Sequence, residues 1–133
     1  MKVIVKFDSE DGTCQLMYNR KQIGETLFME HRTQITVTDV NVDDKFRRKG
    51  YGRIMMKAVM RYAQEKKKPI YLFALEDSVP FYEAMGFCRV KSWKGECKIF
   101  IKNLNPKKSR NKQIDDTDMI WVPKRKRNAT LYL

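Results

Sequence analysis

Val40-Asn41-Val42-Asp43-Asp44-Lys45-Phe46-Arg47-Arg48-Lys49-Gly50-Tyr51-Gly52-Arg53 is the stretch on which the fold turns. It continues the β-branched run Ile35-Thr36-Val37-Thr38-Asp39-Val40-Asn41-Val42, which reads as a strand. It then crosses a short basic turn with two glycines and enters a helical pattern at Gly50. The first amides of a helix lack an intrahelical acceptor, and the helix dipole adds positive charge there. Glycine lets a backbone come close to a phosphate, and Arg47, Arg48 and Lys49 add charge. The chemistry expected of such a turn is capture of a phosphate or diphosphate.

Downstream, Tyr51, Met55, Ala58, Val59 and Tyr62 form an apolar stripe at helical spacing, with Arg53, Lys57, Arg61 and Gln64 on the other face. Lys66-Lys67-Lys68 and Pro69 end this helix, the cations standing at its negative pole. Ile70 to Leu75 is a continuous apolar run, expected as a strand buried on both faces. Strand, helix and strand in that order imply a right-handed parallel crossover. Asp77 or Ser78 can cap a short second helix with Pro80 in its first turn. Gly86 stops that helix, and Phe87-Cys88-Arg89-Val90 opens another strand.

Upstream, no helical period appears in residues 1–43. Val3, Val5 and Phe7 alternate with Lys2, Ile4 and Lys6, and Asp8 to Gly12 is a turn. Cys14 to Tyr18 and Gln22 to His31 make two further strands around the polar turn Asn19-Arg20-Lys21. Past the second helix, Lys98 to Lys102 is expected to be extended, and 103–118 has loop composition. Met119-Ile120-Trp121-Val122 can return as a last strand before the basic tail that opens at Lys124-Arg125-Lys126-Arg127. The expected fold class is α/β: one domain with a twisted mixed sheet, a strand–helix–strand crossover and a short second helix. Residues 1–102 form its body, and 103–133 a basic loop, the last strand and a tail.

Composition bounds the function classes. The chain has 133 residues and 15.9 kDa, one domain's worth, and 42% of it is hydrophobic, enough to build a core. Twenty-eight Lys and Arg against 16 Asp and Glu give a formal charge of +12, which favours phosphate-bearing or carboxylate-rich partners. No apolar run approaches the roughly 20 residues of a membrane helix. The first six residues lose their apolar character too soon for a secretory segment. Cys14, Cys88 and Cys97 form no C-x-x-C pair, so reduced thiols in a cytoplasmic protein are expected. With His31 the only histidine, a metal-dependent mechanism is not expected.

The phosphate ligand is narrowed by what is missing. The Walker pattern G-x-x-x-x-G-K-[ST] is absent, and the third glycine of a dinucleotide fingerprint is replaced by Met55. The turn is G-x-G, not the G-x-x-G of a KH clamp. The segment instead resembles the acetyl-CoA motif of the GNAT superfamily of N-acetyltransferases, V-x-P-x-x-R-G-x-G-x-G, with Val42, Arg47, Gly50 and Gly52 in register. A second family hallmark, F-Y-E-x-x-G-F after the next strand, stands as Phe81-Tyr82-Glu83-Ala84-Met85-Gly86-Phe87. The resemblance covers about residues 20–90. There are departures: Asp44 replaces the proline, Arg48 the first loop glycine, and Leu75 an asparagine often found early in the second motif. The two helices the family places between its first strands have no room in residues 8–35. An open groove for a macromolecular or extended acceptor is therefore expected.

The resemblance implies direct acetyl transfer from acetyl-CoA to an amine in a ternary complex. The cofactor would be held by the main chain around Val40 and Val42 and by Arg47, Arg48, Lys49, Gly50, Tyr51, Gly52 and Arg53. Tyr82 is the candidate general acid for the departing thiolate. The base is open among Asp39, Glu30, His31 and a chain of water molecules. Each residue also has a plain structural reading: core packing for the valines and Tyr82, solvated strand ends for the acids. Lys107, Lys108, Arg110, Lys112 and the 124–127 run leave nucleic-acid contact open, with Trp121 and Tyr132 available for stacking. Two alternatives follow from the basic character: a nucleic-acid-binding protein on this scaffold, or acetylation of aminoacyl-tRNA. A monomer and a dimer paired through the last strand are both compatible with the sequence.

Overall fold

The computed structural model describes residues 2–89 and 118–124. Among the described residues, seven strands form one mixed sheet: β1 (Ile4–Asp8), β2 (Thr13–Tyr18), β3 (Lys21–Glu30), β4 (Ile35–Val42), β5 (Ile70–Phe73), β6 (Cys88–Arg89) and β7 (Asp118–Trp121). Their order across the sheet is β1-β2-β3-β4-β5-β7-β6. Helix α1 (Tyr51–Lys66) carries the chain from β4 to the parallel β5, and the short α2 (Val79–Ala84) follows β5.

The first four strands are antiparallel neighbours joined by tight turns. In the first turn the Asp8 carboxylate accepts from the amides of Glu10 and Asp11, at 3.0 and 3.1 Å. That leaves no helix between β1 and β2, as the length of 8–35 required. One face of the sheet is closed by α1. Cys14, Leu16, Phe28, Ile35, Val37, Ile70 and Leu72 meet Met55, Met56, Val59 and Ala63 in one apolar cluster. Burying each such side chain contributes about 1.5–3 kcal/mol, so this seam dominates the stability. On the other face Met29, Thr38 and Asn41 are exposed.

Several expectations change. The strand expected over 70–75 ends at Phe73, and it is not buried on both faces: Phe73 is half exposed and Leu75 is 71% exposed. The reason is that β5 loses its β4 partner after Leu72. The last strand arrives one residue early, over Asp118–Trp121, and it lies between β5 and β6. With both edges occupied inside its own chain, β7 is not available to pair with a second copy. Neither Asp77 nor Ser78 caps α2 through its side chain. The strand expected at 98–102, the loop over 103–117 and the tail beyond Lys124 lie outside the described residues. No helix among the described residues is long and apolar enough to cross a membrane.

Candidate active site

The site begins with an irregularity in β4. Along β3, Leu27 faces Asp39 but Phe28 faces Val37, so β4 carries one extra residue there. Such a bulge shifts the side-chain alternation by one. The inward residues are Ile35 and Val37 before it, Val40 and Val42 after it, while Thr38 and Asp39 are both exposed. The Thr38 hydroxyl donates to the Leu27 carbonyl at 3.3 Å across the bulge.

On its other edge β4 pairs with β5 only over Ile35–Val37, against Ile70–Leu72. From Thr38 onward the two strands part, because β4 continues along β3 while β5 turns toward α2. A cleft of about 290 Å³ opens between them, with Val37, Asp39, Val40, Ala74, Leu75 and Tyr82 on its walls. Val40 lines it; Val42 lies farther along the same strand.

Past Val42, β4 runs into the basic turn. A single 3-10 turn over Asp44–Phe46 follows β4, with the Phe46 amide donating to the Asp43 carbonyl at 2.8 Å. The Arg47 Nε donates to the Val42 carbonyl at 3.0 Å and stands 3.2 Å from the Asp44 carboxylate. In this structure Arg47 braces the turn. Arg48, Lys49 and Arg53 are exposed and have no hydrogen-bond or ion-pair partner among the described residues. Gly50 is the N-cap of α1 with φ +83°, and no side chain caps the first turn. A Cβ built at Gly50 meets nothing within 4 Å, so open space lies in front of the helix. Gly52 differs: a Cβ there would touch the Phe81 ring at 3.5 Å, where α2 approaches the start of α1.

Tyr82 reaches the cleft from α2. Its ring is held edge-on by Phe81 and Phe87, at centroid distances of 5.0 and 5.6 Å, and the residue is only 9% exposed. Burial pushes its phenol above the ordinary value, and the negative charge of Asp39 pushes it further the same way. That coupling joins the two sequence candidates across one cleft. The Asp39 carboxylate makes no hydrogen bond or ion pair among the described residues.

Glu30 and His31 are not brought to this site. Glu30 faces Ile35, at the far end of β4 and on the α1 side. It accepts from Lys68 Nζ at 2.7 Å and from the Tyr62 hydroxyl. Burial disfavours its charge, but the Lys68 and Tyr62 hydrogen bonds outweigh that and hold its carboxyl below the ordinary value. The His31 carbonyl receives the same lysine at 2.8 Å. A residue the sequence reading passed over is Asp118, buried on β7 and accepting the Tyr71 hydroxyl at 2.5 Å. Its pairing is created by the sheet order, which no local signal announces. The bulge did leave a trace, since the apolar positions change parity between Ile35 and Val37 on one side and Val40 and Val42 on the other.

The fold has solved counterparts. GCN5 from Tetrahymena superposes with a TM-score of 0.65 at 15% identity, over 90% of this chain and 71% of that one. The ribosomal-protein-S18-alanine N-acetyltransferase from Escherichia coli gives 0.62 at 15% identity, over 89% and 73%. PaiA N-acetyltransferase from Thermoplasma acidophilum, solved in complex with coenzyme A, gives 0.59 at 11% identity, over 83% and 59%. At such identities the likeness is one of fold. No curated protein sequence matches the chain. The model of the acetyltransferase (GNAT) family matches residues 7–87, which hold the bulged strand, the basic turn, α1 and the Tyr82 helix. With more than half of its residues under that match, the chain belongs to the GNAT acetyltransferase family.

Proposed function

We propose that this protein transfers the acetyl group of acetyl-CoA directly to an amine on a protein, peptide or other macromolecule. The observation that carries this reading is the cleft between β4 and β5, with Asp39 and Tyr82 on its walls. Acetyl-CoA supplies the acetyl group as a thioester. The open space at Gly50 and the uncapped first turn of α1 suit its diphosphate, with Arg48, Lys49 and Arg53 adding charge. The backbone of Val40 and Val42, along the edge that β5 leaves, suits the pantetheine arm, and an amide there polarises the acetyl carbonyl.

Asp39 takes the proton that the acceptor nitrogen must lose to attack. The new C–N bond forms as the C–S bond breaks, and Tyr82 donates its proton to the departing sulfur. A phenol raised by burial and by Asp39 remains protonated at neutral pH, as a donor must. Exposed Met29, Thr38 and Asn41, on a face with no helix between β1 and β2, support an extended acceptor over an enclosed small amine. The test is thiol release from acetyl-CoA with peptides, folded proteins and small polyamines offered side by side. Release with peptide or protein acceptors is expected; failure to bind coenzyme A in calorimetry overturns the reading.

A further inference from the structure

We propose that a nucleic-acid strand lies along the exposed face of α1, with its phosphodiesters held by Lys49, Arg53, Lys57 and Arg61. Arg53, Lys57 and Arg61 are four apart on α1, so they share one ridge of the helix surface, and Lys49 stands just before the Gly50 N-cap. All four are exposed. At 1.5 Å per residue the helical row from Arg53 to Arg61 extends about 12 Å. Phosphates of one strand recur about every 3.4 Å along a duplex axis, so such a row faces about four of them.

The row is free to bind. The ion pairs of the described residues join Arg47 to Asp44, Lys68 to Glu30 and Arg89 to Glu83, and none takes a member of the row. The only acid on α1 is Glu65, one turn past Arg61. Lys49 rests 5.9 Å over the Phe46 ring, a contact that leaves its charge in place. A diphosphate at the helix start occupies only Lys49 and Arg53. Lys57 and Arg61 stand about 6 and 12 Å farther along the axis, beyond its reach. A formal charge of +12 draws polyanions toward the whole molecule.

A lipid surface fits less well. A helix lying on a membrane inserts an apolar face beside its cations. Here that face is committed to the sheet through Met55, Met56, Val59 and Ala63, and Ile54 is the one exposed large apolar residue of α1.

The experiment titrates the full chain, without acetyl-CoA, against fluorescent 20-nucleotide oligo-U and oligo-dT over a range of salt. It compares the natural protein with the Lys57→Ala/Arg61→Ala double variant. Single strands lose about 0.7 in the slope of log K against log salt per phosphate contact, so the double variant should flatten the slope by about 1.4. Affinity at about 0.1 M salt should fall at least tenfold. Melting temperature and coenzyme A affinity report that the variant is folded, since neither residue touches the core or the cleft. Three results overturn the proposal: no oligonucleotide binding, an unchanged slope in the variant, or tighter binding to phosphatidylserine vesicles than to either oligonucleotide.

Discussion

Arg48 holds a left-handed conformation, φ +62°, at the position where the family pattern has glycine. For a residue with a Cβ that conformation costs roughly 1–2 kcal/mol. Arg48→Gly should therefore raise stability by about 1 kcal/mol in urea melts while removing one cation from the turn. Gly50 has the same backbone sign with open space around it. Gly50→Glu should fold at a cost of about 1 kcal/mol, yet weaken coenzyme A binding more than tenfold by setting a carboxylate before the helix. Calorimetry separates the two effects. The Tyr82 hydroxyl has no hydrogen-bond partner among the described residues. Tyr82→Phe should accordingly spare stability and KM for acetyl-CoA while lowering kcat by about 10²–10⁴, the usual worth of a general acid. Full turnover in that variant would remove Tyr82 from the mechanism.

At the scale of elements, the helix between the glycine turn and Pro69 was legible because Tyr51, Met55, Ala58, Val59 and Tyr62 fall at helical spacing, although the fully buried face is Met55, Met56, Val59 and Ala63. Its end is less orthodox. Lys67 takes the left-handed position, φ +56°, and the Lys68 amide closes back on the Ala63 carbonyl at 3.0 Å. Glycine is the residue this closure favours. Lys67→Gly should stabilise the protein by about 1 kcal/mol, read as a raised thermal midpoint with unchanged coenzyme A affinity. The bulge in β4 is the element on which the site depends. Its parity change was readable between Val37 and Val40, but a strand's alternation does not say which neighbour it pairs with or where that neighbour departs.

Across the whole molecule, Glu30, Tyr62 and Lys68 tie the end of β3 to the C-terminal half of α1 and the link that follows it. A carboxyl held below its unfolded value contributes stability that is fully present above the unfolded pKa and is lost as pH falls through the folded one. Glu30→Gln should thus be less stable than the natural protein at pH 7, and the gap should narrow toward about pH 3. Urea midpoints at the two pH values measure it; a gap that persists in acid would assign the loss to packing. The same contacts explain why Glu30 left the list of bases. From sequence it was one of two acids on neighbouring strands. In the sheet it faces Ile35 and Asp39 faces Leu27, so Glu30 lies by the start of β4 and Asp39 past its bulge, on opposite faces.

Local order was written in the chain: alternation for the early strands, helical spacing for α1, glycines at the turn, and two motifs in sequence that name the family. Each of these depends on residues within a few positions of one another, where covalent geometry and hydrophobic period act directly. What only the assembled sheet decided is non-local. β7 enters between β5 and β6, β5 abandons β4 after Leu72, and Tyr82 comes to face Asp39 across the resulting gap. Those outcomes depend on which strand edges find partners once the apolar faces are buried against α1, a choice made between segments far apart in the chain.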